Sequence, residues 1–139
     1  MIESNNDNIK VLIADDEMEF ASTLVARLQI RKFKTAMVTT GEAALTAVAE
    51  YQPDVLLLDL KMPDLDGLEV LARVKHEFPE LKVIILTGHG SFEIGHEGMR
   101  LGAFDYIMKP VDLNLLIEKI VEAYEATCES KNRARKATA

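Results

Sequence analysis

Cysteine is almost missing from this chain. Its 139 residues include one, Cys128, so no internal disulfide can form, and a reducing compartment is the simplest setting. Long apolar runs are missing too: no stretch approaches the ~20 residues that a membrane helix needs. The opening MIESNNDNIK has no basic segment followed by an apolar one, so it does not read as a secretory signal. Positive charge is scarce and unevenly spread. The chain carries net −7, but its last nine residues, KNRARKATA, hold four cations and no acid, leaving residues 1–130 at −11. A body this acidic is a poor partner for nucleic acid. The basic end reads as a solvated terminus or an interrupted linker. No internal repeat, low-complexity segment or second domain is visible.

What remains is an ordinary globular balance, 48% hydrophobic and 28% charged, long enough for one domain with a real core. Short apolar runs recur: IKVLIA, KTAMVT, DVLLLD, KVIILT and FDYIM. VLLL and VIIL are continuous rather than alternating, as in strands buried on both faces. Between the runs, apolar residues take helical spacing: Phe20, Leu24 and Leu28; Ala44, Leu45 and Val48; Leu68, Leu71, Val74 and Phe78. The last stripe, Leu113 to Tyr124, is the cleanest, with Asp112 as a candidate N-cap. Strands alternating with helices predict an α/β fold, a parallel sheet covered on both faces. SFEIGHEGMRLG is the weakest segment. Gly95 and Gly98 each cost about 0.8–1.0 kcal/mol against alanine in a helix, so a short or mobile helix is expected there.

Ligands of such sheets bind at the carboxyl ends of the strands. The first run ends in Asp15 and Asp16, the third in Asp59, the fourth in Thr87 and the fifth in Lys109-Pro110. Two adjacent carboxylates ~4 Å apart repel by roughly 4 kcal/mol at an effective dielectric of 20. Taken alone, Asp15-Asp16 would be a helix N-cap with an acidic neighbour. Gathered with Asp59, the acids suit a hard divalent cation, Mg²⁺ or Mn²⁺. Adding Lys109 and Thr87 makes a site for a phosphoryl group, and a carboxylate there can be the nucleophile.

At these residues the sequence resembles the receiver domain of bacterial two-component response regulators. The features that carry the resemblance are ADDE, LLLDLKMPDLDGLEVL, ILTGHG and GAFDYIMKP, in that order and each at a strand end. The resemblance implies a flavodoxin-like, doubly wound five-stranded parallel sheet in the order 2-1-3-4-5, with five helices. It implies a phosphorylation-controlled switch that acts on itself and is not a conventional enzyme. Asp59 would accept a phosphoryl group from a sensor histidine kinase or a phosphotransfer protein. Asp16 and Asp59 would bind Mg²⁺ directly, Asp15 through water, and the backbone carbonyl of Lys61 would complete the protein ligands. Thr87 and Lys109 would bind phosphoryl oxygens, and Tyr106 would turn inward with Thr87. The output partner would dock on the face made by helix 4, strand 5 and helix 5.

Several readings stay open at this level. Lys61 and His89, two residues after Asp59 and Thr87, either overhang the phosphoryl group and set its lifetime or are solvated loop residues. Tyr106 could be a plain core aromatic, and Lys109-Pro110 a plain turn. Residues 1–8 are expected to be disordered, 9–127 to form the receiver domain, and 128–139 to be a polar basic tail. The chain is expected in the cytoplasm, off the membrane, as a stand-alone receiver or a piece of a longer regulator, with homodimerisation open. An aspartyl phosphatase of the haloacid-dehalogenase type would want a second acid where Lys61 stands. A flavodoxin-like mononucleotide binder would want a Ser/Thr/Gly-rich loop where ADDEMEF stands.

Overall fold

Strands and helices alternate through the chain as the apolar runs predict. A computed structural model describes residues 8–88 and 92–138. In order they form β1 (Lys10–Ala14), α1 (Met18–Ile30), β2 (Lys34–Val38), α2 (Gly41–Tyr51), β3 (Val55–Asp59), α3 (Gly67–Glu77), β4 (Lys82–Thr87), α4 (Phe92–Arg100), β5 (Asp105–Met108) and α5 (Leu113–Thr138). All pairings are parallel, in the order β2-β1-β3-β4-β5. Residues 1–7, most of the segment expected to be disordered, lie outside the described residues, as does His89.

The pleat divides the core into two layers. Val11, Ile13, Val55, Leu57, Ile84, Leu86 and Ile107 face α1 and α5. Leu12, Ala14, Leu56, Leu58, Val83 and Ile85 face α2 and α3. β3 is buried along its whole length, which is why VLLLD shows no alternation. The same parity decides where the strand ends point. Asp15, Asp59 and Lys109 continue the α1/α5 side, while Thr87 and Tyr106 continue the opposite one.

Local chemistry fixes the connections. Thr40 Oγ1 accepts the Ala43 N–H at 3.1 Å, Asp66 Oδ1 the Leu68 N–H at 3.0 Å, and Asp112 Oδ1 the Asn114 N–H at 3.0 Å. Asp112 therefore caps α5 as its sequence position suggests. Gly67 opens α3 against β3, its N–H donating to Leu60 O at 3.1 Å. A Cβ there would fall on the Leu60 backbone, so only glycine fits. The expected boundary at residue 127 is not an end of regular backbone, because α5 continues to Thr138. SKNRARKAT lacks glycine and proline and includes several good helix formers, which lets the helix run on.

Asp64, in the loop after β3, caps a different helix. Its carboxylate accepts the N–H groups of Gly41 at 2.8 Å and Glu42 at 2.9 Å, bolting the loop to the start of α2. The two N–H donors hold its pKa below the usual carboxylate value. A depressed carboxylate pKa stabilises the fold above the unfolded value and stops doing so as pH falls through the folded one. Asp64→Ala is therefore expected to melt a few degrees below wild type at pH 7. The gap should narrow only once the pH drops below ~4, read by thermal unfolding across a pH series.

Candidate functional site

The carboxyl ends of β1, β3 and β5 converge on one ammonium. The Asp15 N–H donates to Val38 O at 3.1 Å, extending the β1 pairing by one residue and burying the Asp15 side chain completely. Asp59 is the last residue of β3 and is also buried. The Lys109 N–H donates to Thr87 O at 2.7 Å, tying the ends of β4 and β5 together before the cis Lys109-Pro110 bond. From there Lys109 Nζ reaches Asp15 Oδ2 at 2.8 Å, Glu17 Oε1 at 2.8 Å and Asp59 Oδ2 at 3.7 Å. The Phe20 ring covers the same ammonium, its centroid 4.4 Å from Nζ.

Backbone donors orient the acids. The Lys61 N–H donates to Asp59 Oδ1 at 3.1 Å, and the Glu17 N–H to Asp15 Oδ1 at 2.9 Å. Burial pushes the Asp59 carboxyl up to about 6; the Lys61 N–H opposes this, Asp15's charge adds to it, and Lys109 offsets part. Burial acts to lower the Lys109 pKa, but Asp15 and Glu17 outweigh it and hold the ammonium above its ordinary value. The hydrogen bond from Lys109 depresses the Glu17 carboxyl.

Of the expected residues, Asp15, Asp59 and Lys109 meet directly. Thr87 is buried beside them, its hydroxyl donating to Gly88 O at 3.4 Å. Asp16 is exposed at the edge of the groove rather than in the cluster. Glu17 takes the third place: Asp15, Glu17 and Asp59 each bring an oxygen within 4.8 Å of the others. Lys61 is exposed and borders two openings to Asp59. One is a groove of about 780 Å³ along α1 that Lys109 and Phe20 also line; the other is a cleft of about 150 Å³ lined by Leu68, Thr87 and Ile94. The acids fit a hard divalent cation. Asp15 Oδ2 is fully buried and, among the described residues, receives no aligned hydrogen bond, Lys109 being an ion-pair neighbour.

Gly95 and Gly98 differ from expectation in kind. The segment is a short helix, as their presence suggests, but both are buried contact points. A Cβ on Gly95 would sit 3.1 Å from the Tyr106 ring, and one on Gly98 would overlap Ile85. Ile85 and Tyr106 are neighbours in the β4–β5 register. Alanine at Gly98 would therefore require the Ile85 side chain to move as well as stiffening the helix.

The raised Asp59 pKa sets a pH dependence for the metal-free protein. Between the unfolded carboxylate value and about 6, the folded state binds a proton that the unfolded state has released. Stability thus falls as pH rises through that window, the opposite of the Asp64 case. With chelator present, Asp59→Asn should be more stable than wild type at pH 7–8 and should lose that part of the slope. Urea unfolding at several pH values reads both.

Comparison with known proteins agrees with this geometry. The model of the response regulator receiver domain matches residues 11–121. The chain is 34% identical over 116 residues to the regulatory protein AtoC of Escherichia coli K12, covering 81% of this chain and 25% of AtoC. It is 33% identical over 125 residues to the DNA-binding transcriptional regulator NtrC of Salmonella typhimurium, covering 88% of this chain and 27% of NtrC. The chain thus spans about a quarter of the length of these curated relatives. Among solved structures, the receiver domain of the Francisella response regulator 1452 superposes with a TM-score of 0.80 at 32% identity, over 86% of this chain and 99% of that one. A CheY-like receiver domain protein from Methanospirillum hungatei superposes at 0.83 with 29% identity, over 88% of this chain and 98% of that one. Five parallel strands, three of them ending at a shared acid–lysine cluster, and a family match over most of the chain lead to one conclusion: the protein belongs to the response regulator receiver domains of two-component signalling.

Proposed function

We propose that Asp59 is the phospho-acceptor of this switch. The observation that carries the reading is a buried carboxylate at the end of β3, reachable through a groove and faced by Lys109 and Asp15. In the proposed step, an Asp59 carboxylate oxygen attacks the phosphorus of a phosphohistidine on a histidine kinase or phosphotransfer protein. An O–P bond forms, the P–N bond breaks, and the ring nitrogen leaves with the electron pair. Lys109 and the Thr87 hydroxyl take phosphoryl oxygens, concentrating positive charge and a donor where negative charge arrives. Mg²⁺ or Mn²⁺ held by Asp15, Asp16, Asp59 and the Lys61 carbonyl would offset the acids' repulsion. Self-phosphorylation and self-dephosphorylation are then the only chemistry asked of the chain.

The signal leaves through α4, β5 and α5. Thr87 and Tyr106 project to the same side of the sheet, and the Tyr106 ring lies against Gly95 of α4. Each of the three elements also leaves a large apolar side chain exposed: Ile94 and Met99, Met108, and Leu115. An output domain or partner protein would cover them once phosphorylation shifts the balance between two states.

Acetyl phosphate with Mg²⁺ is expected to place one phosphoryl group on the wild type and none on Asp59→Asn, read by intact mass and loss of the mark at alkaline pH. Full labelling of Asp59→Asn would end this assignment. Lys61 borders both openings through which an attacking water must come, and its ammonium can hold a phosphoryl oxygen. Lys61→Ala should therefore speed decay of the phosphorylated form by about three- to tenfold, the effect of ~0.7–1.4 kcal/mol. The decay after donor removal measures this.

A further inference from the structure

The resting position of Lys109 has two supports that the proposed phosphoryl transfer does not use. Glu17 stands at the N-cap of α1, yet its carboxylate makes no capping bond to the helix. It is spent instead on Lys109 Nζ, 92 residues away in sequence, at 2.8 Å. Phe20 follows three residues later, on the same side of the first turn, and lays its ring 4.4 Å from the same atom. Between them they leave the ammonium 3.7 Å from Asp59, beyond the 2.7–2.9 Å typical of a charge-assisted hydrogen bond.

We propose that Glu17 and Phe20 are positioning residues that park Lys109 away from Asp59. Phosphorylation then requires the ammonium to exchange Glu17 for a phosphoryl oxygen. The inference rests on the reading of Asp59 as phospho-acceptor. The burial of the partners says which contact yields. Asp15 is wholly buried and cannot lose its cation cheaply, whereas the Glu17 side chain is 63% exposed and water can take over at once. Phe20 lays its ring against the ammonium at the groove without offering a hydrogen bond, so it holds charge but not direction. Glu17 and Phe20 therefore set how far the unphosphorylated state is favoured, while leaving the chemistry to others.

The test is the affinity of the full chain for beryllofluoride, a phosphoryl mimic, at saturating Mg²⁺, followed by amide chemical shifts. Glu17→Gln should bind it about two- to fivefold more tightly, the size expected for one exposed ion pair. Phe20→Leu, which keeps an apolar side chain at the site, should bind about twofold more tightly. In a Lys109→Met background neither substitution should change the affinity further, because the residue they act through is gone. Affinity unchanged or weakened in Glu17→Gln overturns the inference. So does a gain that persists in Lys109→Met, which would mean simple relief of charge repulsion. Failure of the wild type itself to take up the mimic would instead remove the reading of Asp59 on which the inference rests.

Discussion

Lys109 Nζ stands within reach of three carboxylates, at 2.8, 2.8 and 3.7 Å, and the rest of the site follows from that imbalance. One ammonium cannot neutralise Asp15, Glu17 and Asp59. The group as drawn carries two negative charges more than positive ones, which is the charge of one divalent cation. Without such an ion, the buried member with the weakest hold on Lys109 bears the strain. That is Asp59, whose carboxyl is pushed up to about 6. The fold makes this geometry available through its strand order. β1 and β3 are neighbours, so their terminal acids are adjacent, but β5 lies two strands from β3. At ~4.8 Å per strand, a cation from β5 must cross roughly 10 Å, which only a long side chain can do.

Pleat parity then places the acid–lysine cluster and the α4 contact on opposite faces of the sheet. Asp15, Asp59 and Lys109 point to the α1 side, where the large groove opens. Thr87 and Tyr106 point to the other side, where Tyr106 meets α4 through Gly95. The backbone bond from the Lys109 N–H to Thr87 O joins the two halves at the rim of the sheet. A group bound between Thr87 and Lys109 therefore touches both sides of the sheet at once. A displacement there would meet α4 through close packing, since a Cβ on Gly95 would sit 3.1 Å from the Tyr106 ring.

The sheet was readable from sequence because each strand carries its own signal: continuous apolar runs, each followed by a polar residue at the rim. Asp112 was readable as a cap for the same local reason. Contacts between distant segments were not. Asp64 looks like either of the two acids in MPDLDG, and only its position 23 residues from Gly41 in sequence but 2.8 Å away in space gives it a role. Glu17 has no signal of its own beside the Asp15-Asp16 pair, because no pattern near α1 reveals a partner at the end of β5. Gly95 and Gly98 were visible as breaks in helix propensity, but propensity says nothing of the ring and methyl groups packed on them. The helical course of α5 beyond residue 127 was hidden by its charge, which reads as solvated tail although the residues favour helix.

Switching asks that no more than one hold on Lys109 be strong. An exposed ion pair such as that with Glu17 is worth roughly 0.2–1 kcal/mol, and a cation–π contact at a partly exposed site about 0.5–1. Two fully buried partners would trap the ammonium, since leaving either would strand a charge at several kcal/mol. No partner at all would leave it free to wander into the groove. Here one contact is buried and fixed, through Asp15, and the others are marginal. In the proposed exchange Lys109 pivots about Asp15, and its far side chooses between Glu17, Phe20 and a phosphoryl group on Asp59. A phosphoryl group on Asp59 would bring more negative charge than Glu17 and would lie on the buried side of the pivot, where the dielectric is lower. The exchange is then favourable once the group is present and unfavourable when it is absent, which is the energetic form a reversible switch requires.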